Sequence, residues 1–337
     1  MDLQLQLQVV FKIMRRLGLS FIYISLLIVT SCDIVDLPLE KPEIVPIDTT
    51  DTTPTTNIDT IEGVDANGYP LIDSNGINTL TQKVYMEEFT GHSCTGCPAQ
   101  TDKLLAMQAD HEGQIIVATF HEGLFAEVAP PDYPTDLSSE YGEQLHALIE
   151  SKIDAYPSAM VNRKTFEAFG NKYVFQAHAQ WQEPALAEVN KSNPLVAMGV
   201  GGILSEDHNT VKIRVSIKAE TTLNDEYKLL VLCIEDSVIS EQKDGRLNDD
   251  DYPHKINTEY VHRHMVRAKV NTAGNVYGET VIDASGIAEG EWIDWTTNYS
   301  VPDNVVDAKH LYIVAALINA TTTEVVQAEE AHVHLAK

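Results

Sequence analysis

The chain after Pro194 consists largely of short apolar runs with the spacing of β-strands. In residues 211–217 apolar side chains alternate with Lys212, Arg214 and Ser216, a period that puts one face of a strand in a core and the other in water. Regular runs separated by turn residues predict an immunoglobulin-like β-sandwich over residues 193–337. The expected strands are 195–204, 210–219, 227–237, 259–270, 277–283, 291–301, 309–320 and 324–328.

Residues 81–192 show a different pattern, in which strands and helices alternate. The continuous apolar run at 114–120 is typical of a strand buried on both faces. The sequence therefore predicts an α/β half followed by an all-β half. Within the first half we expect strands at 83–90, 114–120 and 158–162, and helices at 97–111, 139–153 and 173–190.

Cys94 and Cys97 form a C-x-x-C motif at the start of a predicted helix. Unpaired N–H groups and the positive end of the helix dipole favour a thiolate at such a position. The motif suits a redox-active dithiol or a permanent structural disulfide equally well. Zinc is less favoured, because neither a second C-x-x-C nor an H-x-x-x-H stands at a usual spacing. We expect no cofactor, and we interpret His262 and His264 as half-buried strand residues, not metal ligands.

The residues around this motif resemble those of thioredoxin-like domains. In that family a cis-proline opens a later strand and faces the cysteines, and Tyr156-Pro157 stands before such a strand. A buried acid often lies six residues before the first cysteine, where this chain has Glu88. The resemblance implies that Cys94 attacks from a solvent-accessible position and that Cys97 resolves the mixed disulfide. Glu88 would then help to move a proton, while Tyr156 and Pro157 would hold the substrate backbone.

The N-terminus has the parts of a bacterial lipoprotein signal. Arg15 and Arg16 precede an apolar run at 17–29, and Thr30-Ser31-Cys32 resembles a lipobox. We therefore expect a signal peptide over residues 1–31, with Met14 as a possible alternative start, and lipid on Cys32. Residues 32–80 contain many Thr, Asp and Pro and predict a disordered tether.

The whole arrangement resembles the Omp28 family of outer-membrane lipoproteins. The resemblance rests on this N-terminus, on residues 87–98, on residues 155–163 and on residues 260–267. It implies an envelope location, at the outer membrane or the cell surface, with the membrane as a partner through Cys32. With 50 acidic residues against 23 Lys and Arg, a net charge of −27 makes nucleic acid an unfavourable partner.

Two functions remain open at this point. The favoured one is an adhesin-like binding lipoprotein with a protein partner and a possible redox site. The alternative is a membrane-tethered thiol–disulfide oxidoreductase acting on protein thiols. Solvent access to the sulfur of Cys94 distinguishes them, because a buried sulfur favours the binding protein.

We predict that the mature protein begins at Cys32 and carries lipid there. Intact-mass measurement and lipid labelling should show the modification, and the Cys32→Ala variant should lose its partition into detergent. Detergent partition that survives this substitution would contradict the prediction.

Overall fold

The computed structural model describes residues 61–72, 77, 81–111, 113–176, 178–189 and 191–336. They fall in one compact unit, Thr53–Lys337. The predicted signal peptide and the lipidation site at Cys32 lie outside the described residues. Within the described part, no helix combines the length and the apolar character needed to cross a membrane.

The described residues form sixteen β-strands and three α-helices. Helices α1, α2 and α3 span Cys97–Asp110, Glu140–Ile149 and His178–Val189. Strands β1 to β8 are Ile61–Val64, Pro70–Ile72, Val84–Thr90, Ile115–His121, Ser158–Val161, Phe175–Gln176, Val196–Leu204 and Thr210–Ala219. Strands β9 to β16 are Tyr227–Glu235, Val238–Lys243, Ile256–His262, Met265–Lys269, Glu279–Ile282, Trp292–Ser300, Leu311–Asn319 and Val325–Leu335.

Twelve of these strands belong to one large mixed sheet. Its order is β14-β8-β7-β16-β15-β9-β12-β4-β3-β5-β6, and β13 also pairs with β9. Strand β12 pairs in parallel with β4 and antiparallel with β9. Strands from both predicted halves are therefore hydrogen-bonded in the same sheet. The described part of the chain is mostly β-structure, with few helices.

Three apolar clusters fill the layers around this sheet. One face of β9 and β15 packs against β7, β8 and β14 through residues such as Val231 and Val215. The opposite face continues across β3, β4 and β12 and is covered by α2, with Phe120 and Leu145 at its centre. Helices α1 and α3 cover the other face of β3 and β4, where Trp181 is fully buried.

The second half follows the predicted strands closely, with three exceptions. Strand β8 has the predicted bounds, 210–219. The predicted strand 259–270 is divided, because His264 has a φ of 53° that an extended strand cannot accommodate. Its first part, β11, pairs with β10, a strand that the sequence did not predict. Strand β16 extends beyond the predicted 324–328, because residues 329–332 pair with β15 and residues 333–335 pair with β7.

The predicted disordered tether, residues 32–80, is too long at its C-terminal end. Strands β1 and β2 pair as an antiparallel hairpin. Arg214 of β8 fixes the hairpin through an ion pair with Asp65 at 2.7 Å and a hydrogen bond to the carbonyl oxygen of Pro70 at 2.9 Å. The hairpin also lies so close to β7 that a Cβ atom at Gly199 would stand 2.4 Å from the side chain of Ile72. The sequence analysis missed this hairpin because residues 32–80 as a whole are rich in Thr, Asp and Pro.

We predict different effects for two deletions within residues 33–72. Removing 33–60 should leave the melting temperature unchanged, because that part has the composition of a tether. Removing 33–72 should also expose the face of β7 at Gly199 and Gly201 and cost about 2 kcal/mol, a fall of roughly 4–8 °C. Calorimetry on both variants tests this, and equal melting temperatures would show that the hairpin adds no stability.

Candidate functional site around the Cys94–Cys97 disulfide

Cys94 and Cys97 are joined in a disulfide at the start of α1. The predicted helix therefore begins where the motif requires, with Pro98 in its first turn. Only 3% of Cys94 and 1% of Cys97 is exposed. The expectation that Cys94 is solvent-accessible is thus wrong for this structure. The reason lies in the second half of the chain, which covers the motif.

Strands β10 and β11 and the loop between them cover the disulfide, and we call residues 238–262 the covering hairpin. Two backbone hydrogen bonds attach it to the cysteine loop. The N–H of Lys243 donates to the carbonyl of His92 at 2.7 Å, and the N–H of Gly245 donates to that of Thr95 at 2.9 Å. The buried amide of Gln242 adds a hydrogen bond to the carbonyl oxygen of Cys94 at 3.2 Å.

A second segment, residues 122–138, supports the other side of the cysteine loop. Both the backbone N–H and the hydroxyl of Ser93 donate to the carbonyl of Phe125, at 3.1 and 3.0 Å. The contact is so close that a Cβ atom at Gly91 would lie 2.4 Å from that carbonyl. Thr135 in turn donates to the carboxylate of Glu241 in the covering hairpin. The disulfide therefore lies between two segments that are themselves connected.

Glu88 is fully buried near the end of β3. Its carboxylate accepts hydrogen bonds from the hydroxyls of Thr101 at 2.7 Å and Thr119 at 3.2 Å. Desolvation raises the pKa of Glu88 to about 7, although both hydrogen bonds act to lower it. Thr101 lies one turn after Cys97 on α1. The predicted acid is therefore a proton-exchanging group near neutral pH, linked by one hydroxyl to the helix of the motif.

Two histidines that the sequence did not bring together meet beside Cys97. The Nε2 atom of His121 lies 3.1 Å from Nδ1 of His262, and both rings are buried. Burial lowers the pKa of His262 to about 3 and that of His121 well below its usual value, so both rings are neutral at physiological pH. A cavity of about 10 Å³ among these rings, Cys97 and Tyr260 is large enough for about one water molecule.

The described residues contain no group of three or more His, Cys, Asp or Glu side chains positioned to hold a metal ion. His262 and His264 do not share a face, since the backbone turns between them. His264 instead lies 3.0 Å from the side-chain oxygen of Gln108 on α1.

The Tyr156–Pro157 peptide bond is cis, as the resemblance to thioredoxin-like domains implies. Ser158, the next residue, is opposite Phe89 at the end of β3. The ring of Tyr156 packs edge-on against Phe125 at 5.3 Å, and Phe125 in turn accepts the hydrogen bonds of the cysteine loop. Tyr156 thus reaches the motif through one intermediate residue. Direct contact between Pro157 and the cysteines stays a prediction.

Cys233 is the remaining cysteine among the described residues. It lies in β9 with its side chain fully buried, and burial raises its pKa to about 12. A thiol with so little thiolate character is unreactive at neutral pH. This agrees with its position in the apolar run 229–234.

Sequence reasoning missed the residues that cover the disulfide. Gln242, Tyr260 and His262 have no motif, and Gln242 is 148 positions away from Cys94. The signal that could have identified them is weak. It is the presence of two short strand-like segments, 238–243 and 256–262, on either side of an Asp-rich loop.

We predict a pH dependence of stability that depends on Glu88. Its folded pKa of about 7 exceeds the ordinary 4.5, so the folded chain binds more protons than the unfolded chain between these values. Its stabilising contribution should therefore be complete below about pH 4.5 and lost as the pH rises through about 7, by roughly 3 kcal/mol. The Glu88→Gln variant should lack this component in urea unfolding, whereas Glu259→Gln, at an exposed site, should retain it. Parallel pH curves for the chain and its Glu88→Gln variant would contradict the assignment.

Comparison with known structures gives a related fold. HBP35 of Porphyromonas gingivalis has a TM-score of 0.55 and 14% sequence identity, with 76% of each chain covered. A protein of Agrobacterium tumefaciens has a TM-score of 0.41 and 16% sequence identity, with 75% of this chain and 95% of that one covered. A domain of the outer membrane lipoprotein Omp28 from P. gingivalis has a TM-score of 0.27 and 14% sequence identity, with 43% of this chain and 92% of that domain covered. Of these TM-scores only that of HBP35 is high enough to indicate a similar fold. At 14% sequence identity this similarity concerns the fold alone.

No curated protein matches the chain significantly. The family model described as "Outer membrane protein Omp28" matches residues 146–337, which is more than half of the sequence. This match confirms the family resemblance and supports a location in the cell envelope. The chain belongs to the Omp28 family of outer membrane proteins.

Proposed function

We propose that this protein is a lipid-anchored binding protein of the outer membrane, in which the Cys94–Cys97 disulfide is structural. Lipid on Cys32 anchors it, and the segment up to about residue 60 spaces the folded part from the membrane. We further propose that residues 81–192 form a thioredoxin-like domain and that residues 193–337 form an immunoglobulin-like β-sandwich. Family membership supports the location.

The observation that carries the proposal is the burial of both sulfurs beneath the covering hairpin. Disulfide exchange requires a thiolate to approach one sulfur, and its rate falls with access. Here the approach is closed by backbone hydrogen bonds from Lys243 and Gly245 and by the buried amide of Gln242. A protein substrate would first have to displace this part of the second half. A disulfide in such a place joins the cysteine loop to α1 and keeps that loop in position for the hairpin.

A thiol–disulfide oxidoreductase is the second candidate, and Glu88 favours it. A buried carboxyl with a pKa of about 7 can exchange a proton with a thiol of the motif near neutral pH. In this alternative Cys94 attacks, Cys97 resolves, and Tyr156 and Pro157 hold the substrate backbone. The covering hairpin would have to open during each reaction.

We predict that the Cys97→Ser variant traps no partner protein. If Cys94 attacked substrates, removing the resolving thiol would make mixed disulfides accumulate in cell envelopes, visible on non-reducing gels. The binding-protein account predicts no such bands, and no insulin reduction by the unsubstituted protein. Trapped bands that disappear in the Cys94→Ser/Cys97→Ser variant would establish the oxidoreductase. The experiment should also be run with Cys233→Ser, which removes the buried thiol as a source of bands.

A further inference from the structure

Strand β14, Trp292–Ser300, lies at one end of the large sheet and pairs with β8 alone among the strands that the structure describes. Its other edge therefore has no strand partner within the described part of the chain. Such an edge carries a row of backbone N–H and C=O groups that can pair with another strand. The opposite end of the sheet is β6, a strand of only two residues, Phe175–Gln176, which offers little for pairing.

The hydrogen bonds at both ends of β14 show which of its residues face the open edge. The N–H of Val301 donates to the carbonyl of Asn209 at 2.9 Å, and the N–H of Ala219 donates to the carbonyl of Glu291 at 3.0 Å. Hydrogen-bonded and non-hydrogen-bonded residues alternate along an antiparallel pair, so the odd-numbered residues of β14 bond to β8. The even-numbered residues thus direct their N–H and C=O groups outward, and their side chains are exposed as well.

Strand β14 has none of the features that usually protect an edge from pairing. Residues 292–300 contain no Lys, Pro or Gly, and all nine pair with β8 in an unbroken register without a bulge. Natural edge strands are commonly short, bulged or interrupted by Lys or Pro. Six of the nine residues are aromatic or β-branched, the types that favour β-structure. An edge of this length and composition is suited to receive another strand.

The sequence of β14 is complementary to itself in antiparallel pairing. Thr296 can lie opposite Thr296 of a second copy, which puts Trp292 opposite Ser300. The same register puts Asp294 opposite Asn298, so a carboxylate meets an amide that can donate to it and no like charges meet. All of these are outward-facing residues, so they form the hydrogen-bonded pairs of the new ladder, with about ten backbone hydrogen bonds in total. A specific interface typically has roughly that number.

The charge of the strand is also compatible with a second copy. Asp294 is the only charged residue in 292–300, and its charge is balanced within its own chain. Its carboxylate accepts a hydrogen bond from the hydroxyl of Ser216 at 2.8 Å and lies 3.2 Å from Nε of Arg214. The whole chain carries a net charge of −27, so two copies repel each other. Physiological salt screens exposed charges beyond about 8 Å, and association should therefore strengthen as salt is added.

We propose that two copies of this protein pair through β14, antiparallel about a twofold axis at Thr296, so that their large sheets join into one. A twofold dimer uses the same surface of both copies, as this self-complementary strand requires. The contact is narrow compared with that of a permanent dimer, so the association is weak, with a dissociation constant of about 0.1 mM. The pairing is independent of the proposed binding function and of the disulfide.

Sedimentation equilibrium of the mature chain, residues 32–337 with Cys32→Ala to omit the lipid, tests for the dimer. The average mass should rise from one chain toward two as the concentration increases to roughly 0.5 mM. Thr296→Lys places like charges directly opposite each other and leaves the bonds to β8 intact, so it should weaken association at least about tenfold. Thr258→Lys, at an exposed site of β11, is the matched control and should leave association unchanged. A chain that stays monomeric would leave the edge for another protein's strand and overturn the proposal, as would a Thr296→Lys variant that associates as before.

Cysteine cross-linking of the same chain tests the register. Opposite residues of a hydrogen-bonded pair have Cα atoms about 5.5 Å apart, within the range of a disulfide, so Thr296→Cys should cross-link to itself on mild oxidation. Ser300→Cys should not, because its two copies lie roughly 27 Å apart, but it should cross-link to Trp292→Cys in a mixture. The parent chain gives the background, since its remaining thiol, Cys233, is fully buried. Self-cross-linking of Ser300→Cys as fast as that of Thr296→Cys, or none between Ser300→Cys and Trp292→Cys, overturns the proposal.

Discussion

The structure depends on β9, a strand that is buried on both faces. Leu229, Val231 and Cys233 point toward β7 and β8, while the residues between them point toward the core beneath α2. Each buried apolar side chain of this size contributes roughly 1.5–3 kcal/mol. Because β12 joins β9 to β4, the second half of the chain adds its strands to the sheet of the first half. Between β9 and β12 the buried ion pair of Arg267 with Glu235, at 2.7 Å, holds the same junction.

This junction also determines what lies over the disulfide. The chain leaves β9, forms the covering hairpin and returns as β12, which lies between β9 and β4 in the large sheet. Both ends of the hairpin are therefore attached to strands of this sheet. The hairpin lies over the carboxyl ends of β3 and β4, from which the cysteine loop and His121 emerge. The neutral pair His121–His262 lies where β4 and β11 end. Burial of the sulfurs is thus a consequence of sheet topology.

Local pattern predicted the elements whose apolar spacing is strong, and resemblance predicted the conformation at Pro157. Strand β8 and the start of α1 at Cys97 belong to the first group. Strand β10 escaped prediction because Ser240, Glu241 and Gln242 are polar and yet buried, and the side chains of Glu241 and Gln242 are satisfied by distant segments. Such partners, more than a hundred positions away along the chain, leave no local signal. For the same reason the sequence suggested an accessible Cys94.

The most direct test of this account is the rate at which dithiothreitol reduces the Cys94–Cys97 disulfide at increasing urea concentration. If the covering hairpin protects the sulfurs, reduction in the absence of urea should be slow. Its rate should then rise with urea as steeply as the population of unfolded chains, measured by circular dichroism on the same sample. Fast reduction without denaturant, at a rate that urea does not change, would contradict the account and show that the sulfurs are reached in the folded protein.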